Sequence, residues 1–334
     1  MTTYKEIQGI SVQTVAGDPP APLTGQIWYN SSTGTFRVNK TAEVGSWSTG
    51  GNLNTRRGIL AAAGTQTAAL AFGGWTPFPS THVANTESYN GSSWTEVNDL
   101  NSARRGSGGA GTQTAALGFG GNPAPGGGTT GATETWNGSN WTEVNDLGTA
   151  RYGVGNAGTQ TAALAFGGST GYKTETETWN GTNWTEVNDL NVGGKFFGSG
   201  GTQTSALGFG GQKEGVTSPT DAALTESWNG TSWTEVADLN QARIRLSGVA
   251  TDNTAALAFA GEVNPGSITG QTESWNGTSW TEVNDLNTAR YLGAGAGTET
   301  SALMIGASDP FPGSIATEEW NVAPAAVNQT ITEV

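Results

Sequence analysis

The sequence predicts an all-β fold: six copies of one four-stranded sheet that wrap into a closed disc, a six-bladed β-propeller. Three observations predict it. One segment returns six times, turn signals fall at the same place in every copy, and the most regular strand is bulky on one face and thin on the other.

The repeat is plain. GTQTAALAFGG at 64–74 recurs at 111–121, 158–168, 201–211, 251–261 and 297–307, with small changes such as TDNTAALAFAG in the fifth copy. Between copies lie TESYNGSSWTEVNDL (86–100) and its near-repeats at 133–147, 176–190, 225–239 and 272–286; the last copy stops at TEEWN, 317–321. Each unit reads as four strands: a small-residue run after an arginine, then TAALAF, then TES or TET with an aromatic, then Trp-Thr-Glu-Val. Asn-Gly between the third and fourth strands is a short hairpin signal, since both turn positions favour positive φ. Gly-Gly ends the second strand. In TAALAF, Ala68, Leu70 and Phe72 point one way and Ala69 and Ala71 the other, so a bulky face of one blade can rest on a thin face of the next.

The fourth-strand tryptophans are Trp47, Trp94, Trp141, Trp184, Trp233 and Trp280. Trp47 lies ahead of the first full copy, in GSWSTGGNLNTRR, which aligns with SSWTEVNDLNSARR. It therefore supplies the missing outer strand of the last blade, and the ring closes through the N-terminal side of the chain. QTITEV at 329–334 competes for that place, but its match is shorter. The expected division is a hairpin and anchoring segment at 1–42, the propeller at 43–321, and a tail or added edge strand at 322–334.

Composition agrees and excludes several functions. Glycine takes 52 positions and cysteine none, so packing alone must hold the fold, without disulfides, thiolate metal sites or a cysteine nucleophile. A net charge of −14 repels a phosphate backbone and an anionic membrane surface alike, which argues against nucleic-acid binding. The N-terminus has no apolar core of a signal peptide, and no run of 18 apolar residues is present, so the expectation is a soluble chain without membrane insertion.

Arg104, Gly120-Gly121, Trp136 and Trp141 stand at the spacing of the kelch repeat, and this pattern resembles that family over most of the chain. It departs at Lys195, read here as the replacement for an arginine, at Ala260-Gly261, and at Gly306-Ala307 in a copy without its own fourth-strand tryptophan. Residues 25–39, GQIWYNSSTGTFRVN, resemble a short hairpin segment near the N-termini of tail-fibre and other virion proteins of marine bacteriophages. Gly/Thr/Asn-rich repeats of this style are similar to those of the same phages. The resemblance implies a non-enzymatic virion protein: a tail fibre, tail tip or head decoration made in the host cytoplasm. It would attach to other virion proteins through residues 1–42 and oligomerise within a particle. A free-standing carbohydrate-binding propeller is the alternative.

No catalytic constellation stands against this. A kelch-type copper oxidase needs a modified cysteine, which the chain lacks, and the single histidine, His82, is too little for a triad or a zinc site. Neither a metal nor a cofactor is expected. Glu96, Glu143, Glu186, Glu235 and Glu282 recur in every blade, as do Asp99, Asp146, Asp189, Asp238 and Asp285. A catalytic pair is a local asymmetry, so these read as turn caps, with Arg57, Arg104, Arg151, Arg243 and Arg290 as their candidate partners. The Asn-Gly-Ser/Thr triplets, formally glycosylation acceptors, read as turns.

Variation singles out one face. Loops joining strands two to three and four to one share it, and the two-to-three loops at 75–85, 122–132, 169–173, 212–223, 262–270 and 308–316 differ in length and content. Trp75, Phe78, His82, Tyr172 and Phe311 on these loops are the candidate contacts for a host-surface glycan, a receptor or a neighbouring virion protein.

Overall fold

The computed structural model describes residues 12–20, 26–77, 79–123, 128–213, 223–264, 266–308 and 314–331. Among them are strands and turns and no α-helix. The chain forms two compact units: a terminal unit, Met1–Gly45 with Val322–Val334, and a repeat unit, Ser46–Asn321.

The repeat unit is built from antiparallel four-stranded sheets. The first contains Ala61–Thr65, Ala68–Phe72, Thr86–Tyr89 and Trp94–Val97. The second has Gly108–Gly111, Ala116–Phe119, Thr133–Trp136 and Trp141–Val144, and the third Gly155–Gly158, Ala163–Phe166, Thr176–Trp179 and Trp184–Val187. The fourth has Gly198–Thr202, Ser205–Phe209, Thr225–Trp228 and Trp233–Val236, and the fifth Ser247–Asp252, Ala255–Phe259, Thr272–Trp275 and Trp280–Val283. A sixth sheet joins Ala294–Thr298 and Ser301–Ala307 to the long strands Ser314–Thr330 and Thr35–Thr49. Trp47 takes the fourth-strand place there. Its neighbour Ser48 donates to the Glu319 carbonyl, and Gly50 N donates to Thr317 O. Residues 329 and 330 belong to the long strand Ser314–Thr330 instead, and 332–334 lie outside the described residues.

Register is the same in each copy. Thr86 faces Phe72 on one side and Val97 on the other, and Tyr89 faces Trp94. The bulky face of one sheet packs on the thin face of the next: Leu70 and Phe72 cluster with Ala116, Trp136 and Trp141. A methyl group at Gly118 would lie 2.8 Å from the Phe72 ring, so alanine there would force the ring to shift. On the other side, Ala69 and Ala71 receive Leu303 and Ile305 of the sixth sheet.

Three further sets of bonds tie each sheet to its neighbour. Each fourth-strand indole donates to a threonine hydroxyl at the start of the preceding sheet's third strand: Trp141 to Thr86, Trp184 to Thr133, Trp233 to Thr176, Trp280 to Thr225 and Trp47 to Thr272. Trp94 of the first sheet donates to Thr317 of the sixth. The glutamine of the strand-one turn reaches back in the same way: Gln160 to the Ala116 and Trp136 carbonyls, and Gln66 to those of Ala302 and Trp320. The third set is backbone. Gly106 N donates to Ile59 O, Gly153 N to Gly106 O, Phe196 N to Gly153 O, Leu292 N to Arg245 O, and Ile59 N to Leu292 O.

Ion pairs lie buried beneath these links, and they correct the expected partners. Arg57, Arg104, Arg151, Arg243 and Arg290 pair with the third-strand glutamates Glu87, Glu134, Glu177, Glu273 and Glu318 at 2.9–3.2 Å, each pair almost wholly buried. Each third strand turns its glutamate inward, where the carboxylate also accepts backbone amides from the incoming loop, as Glu87 does from Asn54 and Thr55. Burial lowers the arginine pKa values, with the glutamates opposing the shift. The aspartate series does cap turns: Asp99 accepts from Thr86 N, and Asp146, Asp189, Asp238 and Asp285 accept equivalently.

Two finer expectations also change. Between strands three and four only the glycines take positive φ; the loop is four residues long, and each asparagine side chain accepts from the amides two and three residues on, as Asn90 does from Ser92 and Ser93. In the fourth copy the arginine position is filled by Gly194, not Lys195. Gly168 N donates to Gly194 O as Gly121 N does to Arg151 O, and Gly194 pairs in register with Lys213. The cation therefore comes from across the pair. Lys213 is buried, with its ammonium 4.4 Å from the Phe197 ring centroid, and a methyl group at Gly194 would lie 2.9 Å from its Cδ.

The terminal unit is a small sheet. Gln13–Val15 runs parallel to Ile27–Asn30, which pairs antiparallel with Thr35–Thr49. Trp28 is fully buried, and Asp18 accepts from Trp28 and Asn30 while pairing with Arg37 at 3.2 Å. The alternation of the strands puts Ile27, Tyr29, Phe36 and Val38 on the opposite face.

Candidate functional site

Residues of the first strands of the sheets line a cavity of about 230 Å³. These strands are rich in glycine and alanine, as in AAAGT, GGAG and AGAGT, because large side chains would fill the space between them. At one end of the cavity stand Ile59, Gly106, Gly153, Phe196 and Leu292; with Arg245, whose carbonyl accepts from Leu292 N, they all have φ between 55° and 66°. This left-handed conformation suits glycine and strains the four larger side chains. Ile59, Phe196 and Leu292 also line the cavity itself.

The residues just before them are Gly58, Arg105, Tyr152, Lys195, Ile244 and Tyr291, and each meets the strand or loop that follows its own second strand. Two side chains here rest on the loop of the preceding copy. Tyr152 rests on Gly106, Phe196 rests on Gly153, and the Tyr152 and Phe196 rings meet edge to face at 5.7 Å. The Arg245 guanidinium lies 5.7 Å from the Tyr291 ring centroid and pairs with Glu262 at 2.8 Å. Lys195 holds its ammonium 4.9 Å from the Tyr172 ring centroid.

The loop residues expected to make contacts fall into two groups on this face. Trp75 and His82 face each other in the hairpin Trp75–Pro77 with Ser80–His82, and the Trp75 indole donates to the Ser80 hydroxyl at 3.2 Å. Burial and the charge of Arg105 lower the His82 pKa, so the imidazole is held toward its neutral form. Tyr172 stands with Lys195. Phe78 and Phe311 lie outside the described residues. Trp47, Trp94, Trp141, Trp233 and Trp280 are buried as structural residues, and Trp184 is half-buried.

Sequence reasoning missed the paired positions that follow Arg57, Arg104, Arg151, Gly194, Arg243 and Arg290. The signal was present: within copies that barely differ, these pairs read Gly-Ile, Arg-Gly, Tyr-Gly, Lys-Phe, Ile-Arg and Tyr-Leu. The described lining of the cavity carries hydroxyl, amide and backbone groups and no carboxylate, imidazole or amine. Such a lining can hold a ligand by packing and hydrogen bonds, with the charged and aromatic residues at the mouth beside it. Among the described residues no cluster of three or more His, Asp or Glu could hold a metal ion.

No protein-family model matches the chain, and no curated protein matches it.

Proposed function

We propose that the chain is a six-bladed, kelch-like propeller that serves as a non-enzymatic binding module of a virus particle, as a tail fibre, tail tip or head decoration. The cyclic run of indole-to-threonine bonds, with Trp47 bound to the fifth sheet and Trp94 to the sixth, supports the closed ring. The repeated arginines with their third-strand glutamates, and the capping aspartates, are consumed in holding the sheets, and the variable face is read as the surface for recognition. Residues 1–42 are the attachment segment.

One observation carries the attachment reading. Among the described residues the exposed large hydrophobics are Val12, Ile27, Phe36 and Ile331, and all four belong to the terminal unit. Ile27 and Phe36 share a sheet face, and Ile331 N donates to Phe36 O at 2.9 Å. Exposed apolar side chains gathered in one small sheet mark a surface that buries itself against a partner.

Mass spectrometry of purified virions from the source tests the reading: the chain is expected at a defined copy number, and a version lacking residues 1–42 is expected to be absent from particles. A chain missing from virions, free in the lysate and binding glycans as a monomer would instead establish a free-standing carbohydrate-binding propeller.

A further inference from the structure

We infer that the mouth ring is a binding site for a carboxylated oligosaccharide, gripped by the cations Arg105, Lys195 and Arg245 and stacked on Tyr152, Phe196 and Tyr291. The inference rests on the binding-module reading and gives it a ligand class.

Charge is the first argument. In a chain of net charge −14, the arginines after the fourth strands are buried in ion pairs, whereas Arg105, Lys195 and Arg245 are half-exposed beside the mouth. Among the described residues Arg105 and Lys195 have no carboxylate at ion-pair distance. Unpaired cations gathered in an otherwise acidic protein attract an anion locally.

Arrangement is the second. Cations and aromatic rings alternate through consecutive sheets: Arg105, then Tyr152, then Lys195 with Phe196, then Arg245, then Tyr291. A small inorganic anion would use the charges and leave the rings idle. A nucleic-acid strand would use both, but its many phosphates would meet the net negative charge of the whole protein. A pyranose offers an apolar C–H face for the rings and a carboxylate for the guanidinium or ammonium groups, one such pair per sugar.

Strain is the third. Phe196, Arg245, Leu292 and Ile59 occupy a backbone conformation that costs each of them energy, and it is held by the inter-sheet amide bonds. Gly106 and Gly153 show that glycine meets the same geometry without that cost. Strained side chains at a cavity mouth are a mark of a functional surface.

The test titrates the full chain with fluorescently labelled tetragalacturonate, with the methyl-esterified tetramer as the neutral counterpart. Tetragalacturonate is expected to bind, to bind at least tenfold better than the ester, and to weaken as salt rises. Arg105→Gln and Lys195→Gln are each expected to lower affinity about tenfold with unfolding temperatures unchanged, Tyr152→Ala to lower it about tenfold with a small loss of unfolding temperature, and Glu282→Gln to have no effect. No binding at millimolar tetragalacturonate, binding indifferent to all three substitutions, or Lys195-dependent binding of a poly-glutamate peptide in its place would each overturn the site. Presence of the chain in virions is scored separately, so the particle reading and the ligand reading fail independently.

Discussion

Replacing Lys213 with methionine probes the one sheet that supplies its buried cation differently. The lysine lies close to Glu226, and burial, opposed by that carboxylate and by Asp238 and Glu235, brings its pKa down from 10.5 to about 8. A depressed ammonium is a penalty on the folded state. The penalty is complete below pH 8, and it is relieved as pH rises from 8 to 10.5, because over that window the unfolded chain binds the proton and the folded one does not. At about 1.4 kcal/mol per pH unit, the relief amounts to about 3 kcal/mol across the window. Urea unfolding at pH 7.5, 9 and 10.5 is the assay, read as the difference between wild type and Lys213→Met so that other titrations cancel. Wild type is expected to gain about 3 kcal/mol on the variant between the lowest and highest pH. Lys213→Arg should behave as Met does, because a guanidinium keeps its proton throughout. Parallel curves for wild type and Lys213→Met would refute the placement of the ammonium.

Other outcomes follow from the same structure. Arg104→Met strands Glu134, which is 2% exposed, and should cost about 3–5 kcal/mol in chemical denaturation; Glu134→Leu added to it should recover part of the loss. Trp47→Ala should cost about 3–5 kcal/mol and Trp184→Ala less, since Trp184 is only half-buried; equal losses in thermal unfolding would contradict the closing role given to Trp47. Tyr89 is raised to about 12 by burial and by its hydrogen bond to Glu319, so ultraviolet titration should show one tyrosine ionising last. Because its neutral form is favoured in the fold, Tyr89 contributes stability that is full below pH 10 and lost between 10 and 12.

The strands and their facing were legible because each relies on side-chain pattern alone. Leu70 and Phe72 opposite Ala69 and Ala71 is a statement about period two, and the Phe72 contact with Gly118 follows from it. The partners of the arginines were not legible. A glutamate between Thr86 and Ser88 looks solvent-facing, and only the loop amides of Asn54 and Thr55 make its burial tolerable. Lys195 was misplaced by one residue because the cation drew the alignment: counted from Leu190 as Arg104 is from Leu100, the place falls on Gly194, and nothing local shows that Gly194 opens space for Lys213 until the two are seen in register. The mouth ring was hidden for a related reason. Its members are far apart in sequence and become neighbours through backbone bonds such as Ile59 to Leu292, so variation that looked incidental in each copy is gathered at one opening.

Closure of the ring is the claim on which the mouth, the cavity and the variable face all depend, and a cysteine-free chain allows it to be tested directly. Ile59→Cys with Leu292→Cys places one thiol on each side of the seam between the first and sixth sheets, where Ile59 N lies 2.7 Å from Leu292 O. A short bis-maleimide should join them within one chain in high yield by intact mass, and should join Ile59→Cys with Phe196→Cys poorly. Failure of the first pair to cross-link within the monomer, or equal yields for both pairs, would contradict a closed six-sheet ring.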